Sequence, residues 1–337
     1  MKKFLLKISF FVIYAFLLQV VFPVMIDPYN VFHTEHIRAN GVDCNKNYVK
    51  MKYILNNPGR FDSFVFGSSR VGVIHTEKIP GEIAYNMAYT GGLPSEHLAN
   101  IRTFLKNNIH PMKIYIGIDS ISYMVNPEMH ISSQMHCPYE YLADDPYHFF
   151  TLYCNPLIAF ESLKTILTRK SEVDTDTFYQ YGWWYKYNQE SKIDWESENV
   201  KPTILGVLND KVFRNALNDI KETVRLCREN SIELIIFTNP MHNITYMASV
   251  KDCRYFEFLE ELSSITEFYN FSSLNDITLS NDCYLETSHY KAEVGDMILN
   301  VICSNEIYPE LYAQGFGVKV TKDNAEEFIS MLKHQLE

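Results

Sequence analysis

A serine, a glutamate and a histidine occur in this sequence in an order that could support nucleophilic catalysis. The tetrapeptide GSSR at residues 67–70 directly follows an apolar run, and its second serine is Ser69. Much later in the chain, Glu286 stands three residues before His289. An acid beside a histidine can fix the tautomer of the imidazole, which can then take the proton of a serine hydroxyl. The sequence therefore predicts a triad of Ser69, His289 and Glu286.

Each of these signals also has a plain structural interpretation. A GSSR stretch after a strand can be an ordinary turn, and an acid three residues before a histidine also occurs by chance. Ser68 is a second candidate nucleophile. Arg70 could contact an anionic group of a substrate or pair with Asp119, and the sequence does not rank these two roles.

Strand and helix patterns alternate around the candidate residues. Alternating elements with short connections predict a mainly parallel sheet covered by helices on both sides, which is a three-layer α/β/α fold. In such sheets ligands collect at the carboxyl ends of the strands, where the GSSR stretch lies. Apolar runs predict strands at residues 62–69, 81–92, 113–119, 232–240 and 265–273. Amphipathic patterns predict helices at residues 48–55, 95–109, 210–231 and 289–303.

The amino terminus predicts a membrane anchor. Lys2, Lys3 and Lys7 precede an uncharged run from Ile8 to Ile26, which is about the length that a helix needs to cross a bilayer. The run lacks the small-residue cleavage site of a secretory signal peptide. We therefore expect a single-pass signal anchor in the cell membrane, with its lysines in the cytoplasm and the body of the protein outside. A buried helix of a soluble domain is the alternative.

The chain divides unevenly by pattern. We expect a transmembrane helix at residues 1–26, a connector at 27–60, an α/β domain at 61–310 and a C-terminal extension with a helix at 311–337. An aromatic-rich insertion at about residues 120–205 interrupts the alternation, and its rings could stack on sugars or pack against the core. The densest part of the insertion comprises Tyr179, Tyr181, Trp183, Trp184, Tyr185 and Tyr187.

Composition and spacing argue against several other classes of protein. The net charge of -11 and the lack of a basic stripe make nucleic acid an unlikely partner. Seven dispersed cysteines without a C-x-x-C pair favour buried small residues over a disulfide framework or a zinc site. Neither a P-loop nor a G-x-G-x-x-G motif follows a strand, which argues against a nucleotide-binding domain. We expect no metal and no cofactor.

The chain resembles the SGNH/GDSL hydrolase superfamily, in its membrane-anchored branch near the teichoic acid D-alanyl transfer protein and the polysaccharide O-acetyltransferases. The resemblance covers roughly residues 60–120 and 230–305. It implies a flavodoxin-like sheet, a nucleophile at Ser69, and an acid and a base at Glu286 and His289. The family's acid is usually aspartate, which is one methylene shorter. The resemblance is carried by GSSR at residues 67–70, Gly91-Gly92, Gly117-Ile118-Asp119 and ETSHY at residues 286–290.

The resemblance also implies an oxyanion hole. Its expected donors are the backbone N–H groups of Ser69 and of Gly91 or Gly92. The family's third motif commonly adds an asparagine side chain, but the matching position here is Asp119, whose ionised carboxylate would repel an oxyanion. We therefore expect Asp119 to hold the Ser69 turn in place or to bind Arg70.

These observations together predict a membrane-anchored, extracytoplasmic serine esterase or O-acyltransferase. The resemblance implies a cell-surface polysaccharide or acylated glycan as substrate or acceptor, and it allows for a membrane-bound partner in acyl transfer. The alternative is a catalytically inactive SGNH-fold protein that binds or assembles components of the cell envelope. Labelling by a fluorophosphonate separates the two, because only an activated serine reacts readily.

Overall fold

The structure, a computed structural model, describes residues 2–38, 40–168, 175–183, 190–191, 193–197 and 199–337. Trp184, Tyr185 and Tyr187 of the aromatic run lie outside the described residues. The chain divides into two compact units. Unit 1 comprises Met1–Asn56 and Glu128–Thr175, and unit 2 comprises Asn57–Pro127 and Asp176–Glu337. The insertion expected at about residues 120–205 is therefore divided between the two units, and its first half belongs with the connector.

The described part of the chain contains six strands and seventeen α-helices. The strands are β1 (Ser63–Gly67), β2 (Ala84–Asn86), β3 (Lys113–Ile118), β4 (Glu233–Thr238), β5 (Phe268–Asn270) and β6 (Val318–Val320). The helices are α1 (Lys2–Phe16), α2 (Phe22–Ile26), α3 (Lys46–Asn56), α4 (Pro94–Lys106), α5 (Ile121–Met124), α6 (Glu128–Ile131), α7 (Tyr139–Asp144), α8 (Pro146–Tyr153), α9 (Pro156–Thr168), α10 (Thr175–Tyr181), α11 (Asp210–Glu229), α12 (Asn243–Asp252), α13 (Tyr255–Ile265), α14 (Asp276–Leu279), α15 (Ala292–Ser304), α16 (Pro309–Ala313) and α17 (Ala325–His334).

Unit 2 is built on a six-stranded, mostly parallel mixed sheet in the order β2-β1-β3-β4-β5-β6. Strands β1 to β5 run parallel, whereas β6 pairs antiparallel with β5. The α/β class and the five parallel strands predicted from the sequence are confirmed. The sixth strand was not predicted: the C-terminal extension contributes Val318–Val320 to the edge of the sheet as well as its helix.

Alternate strand residues pack on different helices, as the period of a strand requires. Val65 of β1 and Tyr115 of β3 belong to a buried cluster that includes Ile298 of α15. The next residue of β3, Ile116, instead borders a small cavity of about 10 Å³ together with Ile220 of α11. Strand β1 is buried along its whole length. Helix α15 thus contacts one set of alternating strand residues and α11 the other, and together they support the strands whose ends carry the candidate residues.

Unit 1 contains the apolar N-terminal helix. Its segments α1, the π-helical turn Leu17–Val21 and α2 form one helix of 25 residues, Lys2–Ile26, which is long and apolar enough to cross a membrane. Only 6% of its most apolar stretch is buried. Near its carboxyl end, Gln19 Nε2 donates a hydrogen bond of 2.9 Å to the carbonyl oxygen of Cys154.

The described aromatic residues of the insertion in unit 2 are packing residues. Phe178 is fully buried, and its carbonyl oxygen accepts a hydrogen bond from the Tyr85 hydroxyl. The Trp183 ring lies 4.7 Å from the ring of His75, and its Nε1 donates to Glu77 at 2.9 Å. Phe178 and Trp183 therefore pack against the protein, which is one of the two roles considered for the aromatic rings of the insertion; stacking on sugars was the other.

All seven cysteines lie among the described residues and are free. Five of them are buried, and Cys283 and Cys303 are partly buried.

Candidate active site

The Ser69 side chain projects from a sharp turn at the carboxyl end of β1. Strand β1 ends at Gly67, and a 3-10 turn begins directly at Ser69. A Cβ atom on Gly67 would lie 2.4 Å from Val71 Cγ2 and 2.9 Å from the carbonyl oxygen of Gly117, so only glycine fits there. In the sheet order, β1 and β3 are the neighbours between which the chain reverses direction across the sheet. Such a switch point leaves a crevice at the strand ends, which is where Ser69 lies.

The two adjacent serines have different surroundings. Ser68 is buried, and its hydroxyl donates to Asp119 Oδ2 at 3.2 Å. Ser69 is partly exposed, and its Oγ lies 2.8 Å from His289 Nε2. Only Ser69 combines access from solvent with a histidine in hydrogen-bond contact, so the structure separates the two candidate nucleophiles.

The acid and the histidine lie on a short loop before α15. An antiparallel bridge between Tyr284 and Tyr290 closes this loop, and the Leu285 N–H donates to the carbonyl oxygen of His289 at 2.9 Å. The His289 Nδ1 atom hydrogen-bonds Glu286 Oε1. Because a carboxylate only accepts, Nδ1 carries a proton, and this tautomer leaves Nε2 as the nitrogen that can accept from the Ser69 hydroxyl. A continuous chain of hydrogen bonds therefore runs from Ser69 through His289 to Glu286.

The Glu286 carboxylate is held in its ionised form. Partial burial raises its pKa, but hydrogen bonds from the His289 ring and from the backbone N–H groups of Ser288 and His289 lower it by more, so the pKa lies below the usual 4.5. The two backbone bonds measure 2.7 Å and 3.1 Å. An ionised acid at this position orients the imidazole, and it would stabilise an imidazolium if His289 took the proton of Ser69.

Arg70 and Asp119 form a fully buried ion pair beneath the triad. Their side chains are 0% exposed, and Arg70 Nη1 lies 2.7 Å from Asp119 Oδ1. The Arg70 Nε atom also donates to the carbonyl oxygen and the hydroxyl of Ser288, at 3.1 Å and 3.2 Å. Arg70 therefore connects the nucleophile turn to the loop that holds the acid and the histidine. Neither Arg70 nor Asp119 reaches solvent, so neither contacts a substrate here, and Arg70 takes the structural role of the two considered.

Besides pairing with Arg70, Asp119 holds the turn that carries Ser69. Its carboxylate accepts from Ser68, from the Ile121 backbone N–H at 2.8 Å and from Asn239 Nδ2 at 2.9 Å. With every oxygen engaged in this buried network, the carboxylate does not face the reacting serine. The contacts of Asp119 agree with the expectation that it holds the Ser69 turn in place and binds Arg70.

The turn at Gly91 and Gly92, which was expected to supply an oxyanion donor, passes close to β1. A Cβ atom on Gly92 would lie 2.4 Å from the carbonyl oxygen of Gly67. Gly91 has a positive φ of 68°, which favours glycine. The Gly92 N–H donates to the Tyr89 carbonyl oxygen at 3.2 Å, whereas within the described residues the N–H groups of Ser69 and Gly91 have no acceptor. Of the two expected glycine donors, Gly91 is therefore the one left available.

Three threonines also brace the loop that holds the acid and the histidine. The hydroxyl of Thr287 donates to the carbonyl oxygen of Lys201 at 2.8 Å and lies 2.9 Å from the hydroxyl of Thr203. The Thr245 hydroxyl donates to the Thr287 carbonyl oxygen at 2.7 Å. The end of the insertion, near residues 201–203, thus supports the loop that carries Glu286 and His289.

Sequence reasoning missed several residues of this network. Asn239 lies at the end of the strand predicted at residues 232–240 and was given no role, yet it links Asp119 to Tyr290, whose hydroxyl donates to Asn239 Oδ1 at 3.1 Å. Burial is the main cause that raises the pKa of Tyr290, and the nearby Asp119 raises it further. The Tyr290 hydroxyl therefore stays neutral and donates its hydrogen bond. The available signal was the position of Asn239 directly after a buried strand, on the same edge of the sheet as Ser69.

Comparison of the chain with family models, with curated proteins and with solved structures finds no significant match. The interpretation of this site therefore rests on its own geometry.

Proposed function

We propose that this chain is a membrane-anchored serine esterase or O-acyltransferase of the SGNH type, which acts outside the cytoplasm on acyl groups of cell-surface glycans. The observation that carries the proposal is the hydrogen-bond chain between Ser69, His289 and Glu286. Ser69 and His289 are 220 positions apart in the sequence, yet their side-chain atoms lie 2.8 Å apart. A nucleophile, a base within reach and a group that orients the base are the three parts that acyl transfer requires.

In the proposed reaction, Ser69 Oγ attacks the carbonyl carbon of an acyl ester while its proton passes to His289 Nε2. The tetrahedral intermediate collapses, and the departing alcohol takes that proton from Nε2 as the bond to the acyl carbon breaks. Water or a glycan hydroxyl then gives its proton to Nε2 and attacks the acyl-serine. Collapse of this second intermediate returns the proton to Ser69 and releases an acid or a new ester. The available N–H groups of Ser69 and Gly91 are the donors proposed for the oxyanion.

Several features support an SGNH type of fold. The order β2-β1-β3-β4-β5 is the strand order of flavodoxin-like sheets. Helices α15 and α11 pack on alternate residues of the strands, as a three-layer α/β/α arrangement requires. The nucleophile follows the first strand and the acid and histidine precede the last long helix of the sheet region, which is the arrangement that the resemblance implies.

The proposed location rests on the N-terminal helix. The helix Lys2–Ile26 has the length and composition to cross a bilayer, and Lys2, Lys3 and Lys7 at its start favour a cytoplasmic amino terminus. The body of the chain would then lie outside, on the side where the resemblance implies a cell-surface glycan as substrate or acceptor. Protease added to intact cells should digest the body, and a protected body would reverse the topology.

Fluorophosphonate labelling of the full chain tests the proposed chemistry. We expect the wild type to be labelled and to cleave a chromogenic acyl ester, and we expect Ser69→Ala to do neither. Ser68→Ala is the matched control: it removes one buried hydrogen bond that supports the turn, so it should slow labelling but not abolish it. Labelling of Ser69→Ala equal to that of wild type would refute the assignment. A folded wild type that resists labelling would favour the inactive binding or assembly protein instead.

A further inference from the structure

Helix α9 in unit 1 carries large apolar side chains that the protein leaves uncovered. Leu157, Phe160 and Leu167 are 72%, 63% and 80% exposed. Their spacing of three and seven residues places them on one stripe of the helix. The Ala159 side chain, on another face, is buried. The helix is therefore attached to unit 1 by one side, and on the other it presents these three side chains as an apolar stripe that the exposed Glu161 and Lys164 interrupt.

The apolar stripe adjoins the helix proposed to cross the membrane. Helix α9 packs against the segment Leu17–Ile26, and the rings of Phe160 and Phe22 lie 5.5 Å apart. The hydrogen bond from Gln19 to Cys154 fixes the chain just before α9 to the same segment. Met25, in that segment, is 65% exposed. The uncovered surface of α9 is thus continuous with the uncovered surface of the N-terminal helix.

The depth of this contact can be worked out from helix geometry. Leu17–Ile26 covers about 15 Å along the helix axis at 1.5 Å per residue. The hydrocarbon core of a bilayer is about 30 Å thick. A helix packed beside the last ten residues of the spanning segment therefore lies at the level of the leaflet that faces the body of the protein.

We propose that α9 lies in the interface of that leaflet, with Leu157, Phe160 and Leu167 inserted among the acyl chains of the lipid. Its 13 residues measure about 20 Å, which is too short to cross the core. Glu161 and Lys164 lie on the same exposed face as the apolar side chains, which keeps the helix at the interface: their long side chains reach the headgroups while Leu157, Phe160 and Leu167 enter the acyl region. Lipid rather than a protein partner covers the stripe, because the adjoining surface of the N-terminal helix is covered by lipid in the proposed topology. The inference rests on that proposed anchoring.

Quenching of tryptophan fluorescence by brominated lipids tests the inference on the full chain returned to phosphatidylcholine vesicles. The wild type has three tryptophans, whose signal is subtracted. Leu167→Trp adds a reporter on the stripe, and Val207→Trp, at a position 80% exposed in unit 2, is the control. Phe11→Trp, within α1, reports separately on the anchor. We expect lipids brominated near the headgroup end of their acyl chains to remove most of the added emission of Leu167→Trp and to leave that of Val207→Trp unchanged.

The outcomes separate the two proposals. Quenching of Phe11→Trp without quenching of Leu167→Trp would overturn the interfacial helix and leave the anchor intact. If neither reporter is quenched, both are overturned. A Leu167→Trp reporter that is shielded from aqueous acrylamide and also from the brominated lipids would show that a protein surface covers the stripe, which would likewise overturn the proposal.

Discussion

Replacing Asp119 by asparagine separates what the SGNH resemblance implies from what the structure implies. The family commonly has asparagine at this position, so the resemblance taken alone predicts that Asp119→Asn adds an oxyanion donor and raises activity. In the structure the carboxylate is fully buried against Arg70 and accepts from Ser68, Ile121 and Asn239. We therefore expect the substitution to destabilise unit 2 and to lower the rate of fluorophosphonate labelling.

The magnitude follows from the contacts of Asp119. Three hydrogen-bond donors and the Arg70 guanidinium surround its two oxygens, whereas asparagine offers one oxygen and an NH₂ group. If the NH₂ takes the place of Oδ1, it faces Arg70 and the Ile121 N–H, and in the other orientation it faces the donor of Asn239. Either way the charge of Arg70 stays buried without its counter-charge, which costs about 3–5 kcal/mol in buried pairs broken on one side. For a unit of about 150–250 residues, this is a fall in Tm of roughly 6–20 °C.

Thermal unfolding of the purified chain, followed by near-ultraviolet circular dichroism, measures this loss. Lys333→Met is the matched control, because it breaks a pair with Glu260 whose partners are about half exposed and which is worth about 0–1 kcal/mol. The double variant Arg70→Met/Asp119→Asn should lose less than the sum of the two single variants, by about 0.5–3 kcal/mol, since no buried charge is left unpaired. An Asp119→Asn protein as stable as the control and labelled faster than wild type would refute the reasoning.

Three further predictions concern the site and its surroundings. Glu286→Gln should slow ester cleavage by about 10³–10⁴-fold. Because the pKa of Glu286 is lowered in the folded protein, its contribution to stability is present above pH 4.5 and is lost as pH falls through the folded pKa. The difference in Tm between wild type and variant should therefore close in acid, and a constant difference would contradict this. Gly92→Ala places a methyl group 2.4 Å from the Gly67 carbonyl oxygen and should cost about 1–3 kcal/mol in thermal unfolding, and an unchanged Tm would refute this. Burial, with a smaller effect of Lys46, lowers the pKa of Lys50 well below 10.5, so the stability of the wild type relative to Lys50→Met should increase as pH rises toward 10.5. Denaturant unfolding of both proteins over this pH range measures the difference, and a change in the opposite direction would contradict the prediction.

The sequence predicted those elements that its periodicity marks strongly. Strand β1 is a continuous apolar run because it is buried along its whole length, and α11 is a 20-residue amphipathic helix with a single buried stripe. Strand β6 has three residues, one of which is exposed, and that is too short for any period to be recognised. Its position in the sheet depends on pairing with β5, some fifty residues earlier, which no local pattern records.

The sequence predicts a triad but does not rank the roles of its neighbours. Ser69, Glu286 and His289 are predicted from their residue types and order, and in the structure their side chains are in hydrogen-bond contact. Arg70 was left between two roles, since its choice depends on whether Asp119 and Ser288 converge on it from distant positions. Such convergence is a property of tertiary packing, and a single sequence does not reveal it.

The extra methylene of Glu286, which departs from the usual aspartate of the family, has a geometric explanation in the loop. The carboxylate serves the loop backbone as well as the imidazole: Oε2 accepts from the Ser288 N–H at 2.7 Å, while Oε1 accepts from the His289 N–H at 3.1 Å and from the ring. An aspartate would end about one bond length, roughly 1.5 Å, short of this position. The longer side chain therefore lets one residue close the turn and orient the histidine at the same time, and the base that Ser69 contacts is held by the backbone of its own loop.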